Sequence, residues 1–281
     1  MKLYPIIYIN EGARTATEAL DKGVAAISKD HYQNLLSNRN EHNIVLVSTD
    51  RVFSVLKTLE ESGWNLNVRL EDYPATEDEI AKRIARRAIA GMIDYSHAQD
   101  DLWSVNKSAG VASFGPLAYQ MVMYETGEWL MSDDSLKPAS QFVWQKMYEL
   151  SDKGVYQRKW LGNWLAMHLL DRVFEGPAAH HLNQYVEQLS DESIDVQDEQ
   201  VFLDYLQERK LNPASYGWLW AYKATSHDTK IQETFDNGNK LVRLLVEKYP
   251  KFTEKDAARL IEMAGSKFFR RLYGGPASYS E

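Results

Sequence analysis

The sequence predicts a mixed α/β (α+β) protein, a mixed sheet flanked by helices with a helical C-terminal extension. Three observations predict it. Through about residue 150, short β-branched runs alternate with segments whose apolar residues recur at helical spacing. Beyond Gly154 the texture changes to helix after helix. The 281 residues, 44% of them hydrophobic, can bury one or two cores, yet no stretch approaches the ~20 apolar residues of a membrane span. These features divide the chain into an α/β domain over 1–155 and a helical extension over 156–281.

In order, Leu3–Ile9 reads as an Ile- and Tyr-rich strand that Pro5 confines to an edge or a strand start, and 13–27 as a short helix. Ile44–Val47 is a compact strand. Ser48, Thr49 and Asp50 offer an N-cap for a helix carrying Val52, Val55, Leu56 and Leu59, which Gly63 closes. Trp64–Leu70 reads as a strand ended by Pro74, and Thr76-Glu77-Asp78-Glu79 as a capping box opening a helix to about Ala90. Ile80, Ile84 and Ala88 form the inner face of that helix, and Lys82, Arg83, Arg86 and Arg87 its solvated side. Trp103–Ser108 is a strand, followed by the small-residue loop Ala109–Ser113 and a helix from near Pro116. A strand at Trp129–Ser132 and a helix over Pro138–Leu150 follow. Further helices are expected at Trp160–Phe174, Gln200–Lys210, Leu241–Tyr249 and Thr253–Ala264. Leu189–Glu199 reads as an acidic linker, and Gly274–Tyr279 as a mobile tail.

The charge balance narrows the function. Asp and Glu number 40 against 32 Lys and Arg, so the net charge of −8 repels phosphate backbones and anionic membranes and disfavours nucleic acid as a partner. With no cysteine there is no disulfide, thiolate nucleophile or thiolate metal ligand. The opening MKLYPIIYIN is too short and too soon interrupted for a signal peptide, so the expected location is the cytoplasm.

The chemistry concentrates in residues 101–148. A strand ending in Ser108-Ala109 leads through small residues to a helix with Pro116 in its first turn, where a missing N–H costs nothing. Gly110 and Gly115 permit close backbone approach. The peptide N–H groups of residues 112–115 can therefore converge ahead of the helix dipole, a geometry that binds pyrophosphate. Small residues before a helix also make ordinary turns, and both readings stay open at this point.

The elements Trp103-Ser-Val-Asn-Lys-Ser-Ala109, Phe114-Gly-Pro-Leu-Ala-Tyr119, Leu130-Met-Ser-Asp133 and the helix Ser135–Trp144 resemble phage-encoded proteins of the GNAT type, a superfamily of N-acetyltransferases. The resemblance implies that Ala109–Gly115 cradles the coenzyme A pyrophosphate, that Pro116–Tyr124 is the pyrophosphate helix and that Pro138–Leu150 flanks the pantetheine arm. Acetyl-CoA would then be the cofactor and a small-molecule or protein amine the acceptor. Val105, Gly110, Ala112, Ser113, Phe114, Gly115, Leu117 and Trp144 would contact the cofactor. The family's proton-donating Tyr has Trp144 as its nearest equivalent here, which cannot donate as a general acid. Tyr148, one turn further along, is the substitute, with core packing as the other reading for both aromatics. The attacking amine also needs a base, for which His97 and Asp133 are the candidates alongside Glu71, Asp72 and Asp94. The loop departs from the family pattern, since Val111-Ala112-Ser113-Phe114 separates the two glycines. That departure keeps a second reading open, a GNAT scaffold without catalysis serving as an accessory or virion-associated protein.

Outside this segment three clusters stand out. His168, His180 and His181 lack any metal-binding spacing, so no metal is expected. Trp218, Trp220 and Tyr222 alternate as a strand face or stacking platform would. Lys267, Arg270 and Arg271 interleave with Phe268, Phe269 and Tyr273, a pattern suited to a phage or host protein partner on the C-terminal helices.

Overall fold

The computed structural model describes residues 24–28, 42–99, 101–110, 114–132, 138–162, 179–191, 198–225 and 229–273. The expected strand at Leu3–Ile9 and the tail at Gly274–Tyr279 lie outside them, as does most of the helix expected over Trp160–Phe174. The strands are β1 (Val24–Ser28), β2 (His42–Ser48), β3 (Ile89–Gln99), β4 (Leu102–Gly110), β5 (Trp129–Ser132), β6 (Tyr156–Trp160) and β7 (Trp220–Ala224). They form a mixed sheet in the order β1-β2-β3-β4-β5-β7-β6, flanked by helices. The chain divides into two compact units, each assembled from separate stretches of sequence.

The first unit comprises Met1–Ser96, Lys107–Met121 and Asp228–Glu281. β1 pairs antiparallel with β2, and β2 with β3, where a bulge falls between Leu46 and Val47. Ile44–Val47 are fully buried because helices cover the sheet they belong to. Helix α1 (Thr49–Glu61) buries Val52, Val55, Leu56 and Leu59, as their spacing predicts, and Gly63 takes the left-handed conformation after it at φ 88°. Helix α2 (Pro74–Arg87) starts at Pro74, with Tyr73 as N-cap, so Thr76 stands inside the helix and the expected capping box does not form.

Two helices from the end of the chain complete the unit. Helix α7 (Thr229–Lys248) packs on β1, and α8 (Glu254–Tyr273) packs on α2 and β2. A reciprocal cap opens α8: Thr253 N donates to Asp256 Oδ2 at 2.9 Å, and Asp256 N to Thr253 Oγ1 at 3.1 Å. Arg259 on α8 donates to Glu77 at 2.7 Å and pairs with Asp256, while Lys267 pairs with Asp78. Phe268 and Phe269 are core residues of this unit, and Arg270 and Arg271 are exposed.

Three local expectations are corrected here. Residues 24–27, expected at the end of a helix, form β1, where Ala25 is fully buried. Trp64–Leu70 is irregular and ends in the 3-10 turn Leu70–Asp72; only Leu66 and Leu70 are buried in it, too few for a paired strand. The helix expected to reach Ala90 stops at Arg87, and Ile89 begins β3.

The second unit comprises His97–Asn106 and Val122–His227. β4 and β5 run parallel, Leu102 opposite Trp129 through Val105 opposite Ser132. β7 pairs antiparallel with both β5 and β6. Helix α4 (Pro138–Ser151) packs on the 3-10 segment Pro213–Leu219. Helices α5 (Ala179–Asp191) and α6 (Glu199–Glu208) follow, with Asp198 capping α6 through Gln200 N at 2.9 Å. α5 therefore extends into the expected linker, of which 192–197 lie outside the described residues.

The core of this unit is aromatic. Trp160 stacks on Phe202 at 5.2 Å and lies 4.8 Å from Trp220, and Tyr185 packs between Phe202 and Tyr205 at 4.9 and 4.8 Å. Such rings bring large apolar areas with directional contacts. Trp218, in the 3-10 segment, and Trp220 and Tyr222, on β7, are all buried, so these rings pack in the core.

Among the described residues the buried Tyr185 hydroxyl has no hydrogen-bond partner. An unpartnered buried hydroxyl costs desolvation, so Tyr185→Phe is expected to stabilise the protein by about 1 kcal/mol. Burial pushes this phenol up to about 12. A phenol raised in the fold contributes stability that is lost as pH climbs from its ordinary value of 10 towards 12. The advantage of Tyr185→Phe in Tm should therefore widen between pH 9 and pH 11 (about one unit either side of the ordinary value). A melting temperature equal to or below that of the unaltered protein at both pH values would refute the assignment.

Candidate active site

The parallel pair β4 and β5 defines the candidate site. β4 leads into helix α3 (Phe114–Thr126) and β5 into α4, so each of the two parallel strands feeds a following helix. Four residue pairs join the strands, Leu102–Val105 with Trp129–Ser132, and β4 then runs on to Gly110. Within the first unit a Cβ on Gly91 of β3 would meet Ala109 O at 3.0 Å and Gly110 Cα at 3.3 Å. Only glycine at position 91 lets the end of β4 approach that closely.

On the far side of the loop, Ser108 Oγ and Tyr119 OH are hydrogen-bonded at 2.9 Å. This bond ties the end of β4 to α3. Leu117, Ala118, Tyr119, Met121, Val122 and Met123 are all buried, as expected of a helix apolar on every side. No acidic residue stands in its first turn, and Lys107 precedes residues 111–113 in sequence, which favours an anion at the helix start. A diphosphate is thus compatible with the charges on this segment.

The other expected residues are distributed as follows. Val105 is buried opposite Ser132, Gly110 ends β4, and Phe114 and Gly115 open α3. Ala112, Ser113 and Asp133 lie outside the described residues. His97 is exposed near the end of β3, with its ring edge-on to Trp103 at 5.1 Å. Glu71 and Asp72 sit exposed on the 3-10 turn, at no strand end, and Asp94 is half-buried on β3.

Trp144 and Tyr148 share one side of α4. Trp144 stacks on Tyr222 at 5.8 Å, and Tyr148 meets the Trp220 ring at 4.9 Å. The α4 backbone approaches so closely that a Cβ on Gly217 would lie 2.4 Å from Trp144 O. Burial pushes the Tyr148 phenol above its ordinary value of 10, the Arg158 cation opposes that push, and Asp152 and Glu199 add to it.

Three residues near Tyr148 escaped the reading of the sequence: Arg158 on β6, Glu199 at the start of α6, and Asp152 after α4. The alternation Tyr156-Gln-Arg-Lys-Trp160 was the available signal, an apolar residue at each end of a five-residue strand with Arg158 at its centre. His180 and His181 lie on α5, and His168 is outside the described residues. Among the described residues no group of three or more His, Asp or Glu is placed to hold a metal ion, and no helix is long and apolar enough to cross a membrane.

The fold and this strand–helix order define an α/β protein whose mixed strand order is consistent with a GNAT-like architecture. Comparison with protein-family models, curated proteins and solved structures finds no match to the chain.

Proposed function

We propose that this chain is a GNAT-like N-acyltransferase that moves an acetyl group from acetyl-CoA to an amine. The observation that carries the reading is the parallel β4–β5 pair, each strand followed by a helix, with β4 continuing beyond the paired residues towards a small-residue loop and the start of α3. Peptide N–H groups of Gly110, Ala112, Ser113, Phe114 and Gly115 would hold the pyrophosphate. Val105, Leu117 and Trp144 would supply apolar surface to the pantetheine arm. The thioester supplies an activated acyl carbon. His97 or Asp133 takes the proton that makes the amine nucleophilic, and Tyr148 gives one to the departing sulfur. The resemblance of the 101–148 segment to phage-encoded proteins supports a viral setting.

Isothermal titration tests the reading. Acetyl-CoA should bind with a Kd between about 1 µM and 1 mM, the ordinary range for such substrates, and an absence of heat at about 1 mM ligand would remove it. A second reading has its own support in the burial of Tyr148 among core aromatics: an acyl-CoA-binding scaffold that performs no transfer, serving as an accessory or virion-associated protein. Binding of acetyl-CoA without acetylation of any amine in a mixed panel would establish that alternative.

A further inference from the structure

Tyr148 is gripped from two sides. The Arg158 guanidinium carbon lies 4.2 Å above the centre of its ring, and the Trp220 indole meets it edge-on at 4.9 Å. The guanidinium is itself fixed: Arg158 Nη1 donates to Ser151 Oγ at 3.3 Å and pairs with Asp152, while Nε lies 3.8 Å from Glu199 Oε1. Glu199 in turn accepts from Trp220 Nε1 at 2.9 Å, so the anchor of the cation and the second wall of the ring are joined. An arginine seated over a ring while its fork is held by oxygens is a pre-organised cation, unlike a freely swinging surface pair.

We propose that Arg158 is a positioning residue for Tyr148: its guanidinium, anchored over the ring, holds the phenol in one orientation and favours release of its proton. This inference rests on the acyltransferase reading, in which Tyr148 protonates the sulfur. In that step the carbon–sulfur bond breaks, the sulfur receives the phenol proton, and the phenol oxygen is left with negative charge beside Arg158. The charged and titratable groups facing the ring are Arg158 from β6, Asp152 from the turn after α4, Glu199 from α6 and Tyr222 from β7. Among the described residues Arg158 is the single cation in this group. Without it, burial and two carboxylates all oppose ionisation.

The test places 3,5-difluorotyrosine at position 148 of the full chain and follows its ionisation by fluorine NMR. The fluorines bring the titration well below that of tyrosine, into a range where the fold persists, and give one signal from one site. Arg158→Gln should raise the titration midpoint by about 1 unit. Arg158→Lys, which keeps the charge and loses the anchored fork, should fall between the two. An unchanged midpoint in Arg158→Gln overturns the proposal. Should that variant not fold, Arg158→Lys carries the test alone: its ammonium lacks the anchored fork and should leave the midpoint above that of the unaltered protein, and no movement overturns the proposal.

Transfer activity supplies a separate arm. In the unsubstituted protein Arg158→Gln should lower kcat by up to about tenfold and carry the alkaline limb of the pH profile to higher pH, because a general acid acts only while protonated. A midpoint that shifts in a protein with no acetyl transfer removes the acyltransferase reading and the catalytic purpose of the pair together. A midpoint that stays fixed in a protein that transfers acetyl removes the role of Arg158 alone.

Discussion

Gly217→Ala is expected to destabilise the protein by about 3 kcal/mol or more, lowering Tm by on the order of 10 °C, because a methyl group there has nowhere to go. The new Cβ would sit 2.4 Å from the Trp144 carbonyl oxygen, 2.8 Å from its carbon and 3.0 Å from Tyr148 Cβ. Two of these three atoms are backbone in the middle of α4, so relief requires the helix to move off the Pro213–Leu219 segment. That movement would disturb the stacking of Trp144 on Tyr222 and the edge-on contact of Tyr148 with Trp220 together. Gly63→Ala is the comparison. Its φ of 88° is costly for alanine but its surroundings are open, so about 1 kcal/mol is expected. Thermal unfolding of the two variants, followed by near-ultraviolet circular dichroism, checks the difference. Equal melting temperatures would show that α4 yields easily to the added methyl.

Arg259→Ala is expected to cost about 2–4 kcal/mol in urea unfolding, somewhat less than a wholly buried ion pair because Arg259 is 29% exposed. Glu77 is 8% exposed on its side chain, and the 2.7 Å bond from Arg259 Nε is its direct tie to α8. Removing the cation leaves that carboxylate buried and charged without compensation. Asp256 suffers less, since Thr253 N and Oγ1 continue to donate to it. Replacing both partners, Glu77→Leu with Arg259→Met, should recover most of the loss because the Glu77 carboxylate is no longer stranded and Asp256 keeps its Thr253 donors. A loss below about 1 kcal/mol in the single variant would place this pair with ordinary surface ion pairs.

Much of the local structure could be read directly wherever periodicity and punctuation agreed. Trp129–Ser132 is a strand with the expected bounds, and α1 buries the four residues that its spacing selects. The failures have physical causes. Ala88-Ile89-Ala90 continues the helical spacing of α2, so nothing local reports that the chain extends at Ile89, where pairing with Val47 takes over. Trp64–Leu70 has β-type composition but finds no partner strand, and composition alone does not make a strand. β6 and β7 exist through pairing with each other, and that pairing, invisible in one dimension, gathers Arg158 and Glu199 near Tyr148. At the candidate site, the aromatic character of Trp144 and Tyr148 was legible, and their mutual packing partners on β7 were not.

The discontinuous first unit has a consequence for how the protein comes into being. Arg259 reaches Glu77 across 182 positions, and Lys267 reaches Asp78 across 189. During synthesis β2 and α2 leave the ribosome roughly 10–40 s before α8, at ordinary elongation rates. For that interval their apolar surfaces lack the helices that finally cover them. The unit can close only after α8 has been made, so its folding waits on residues that are synthesised long after β2 and α2.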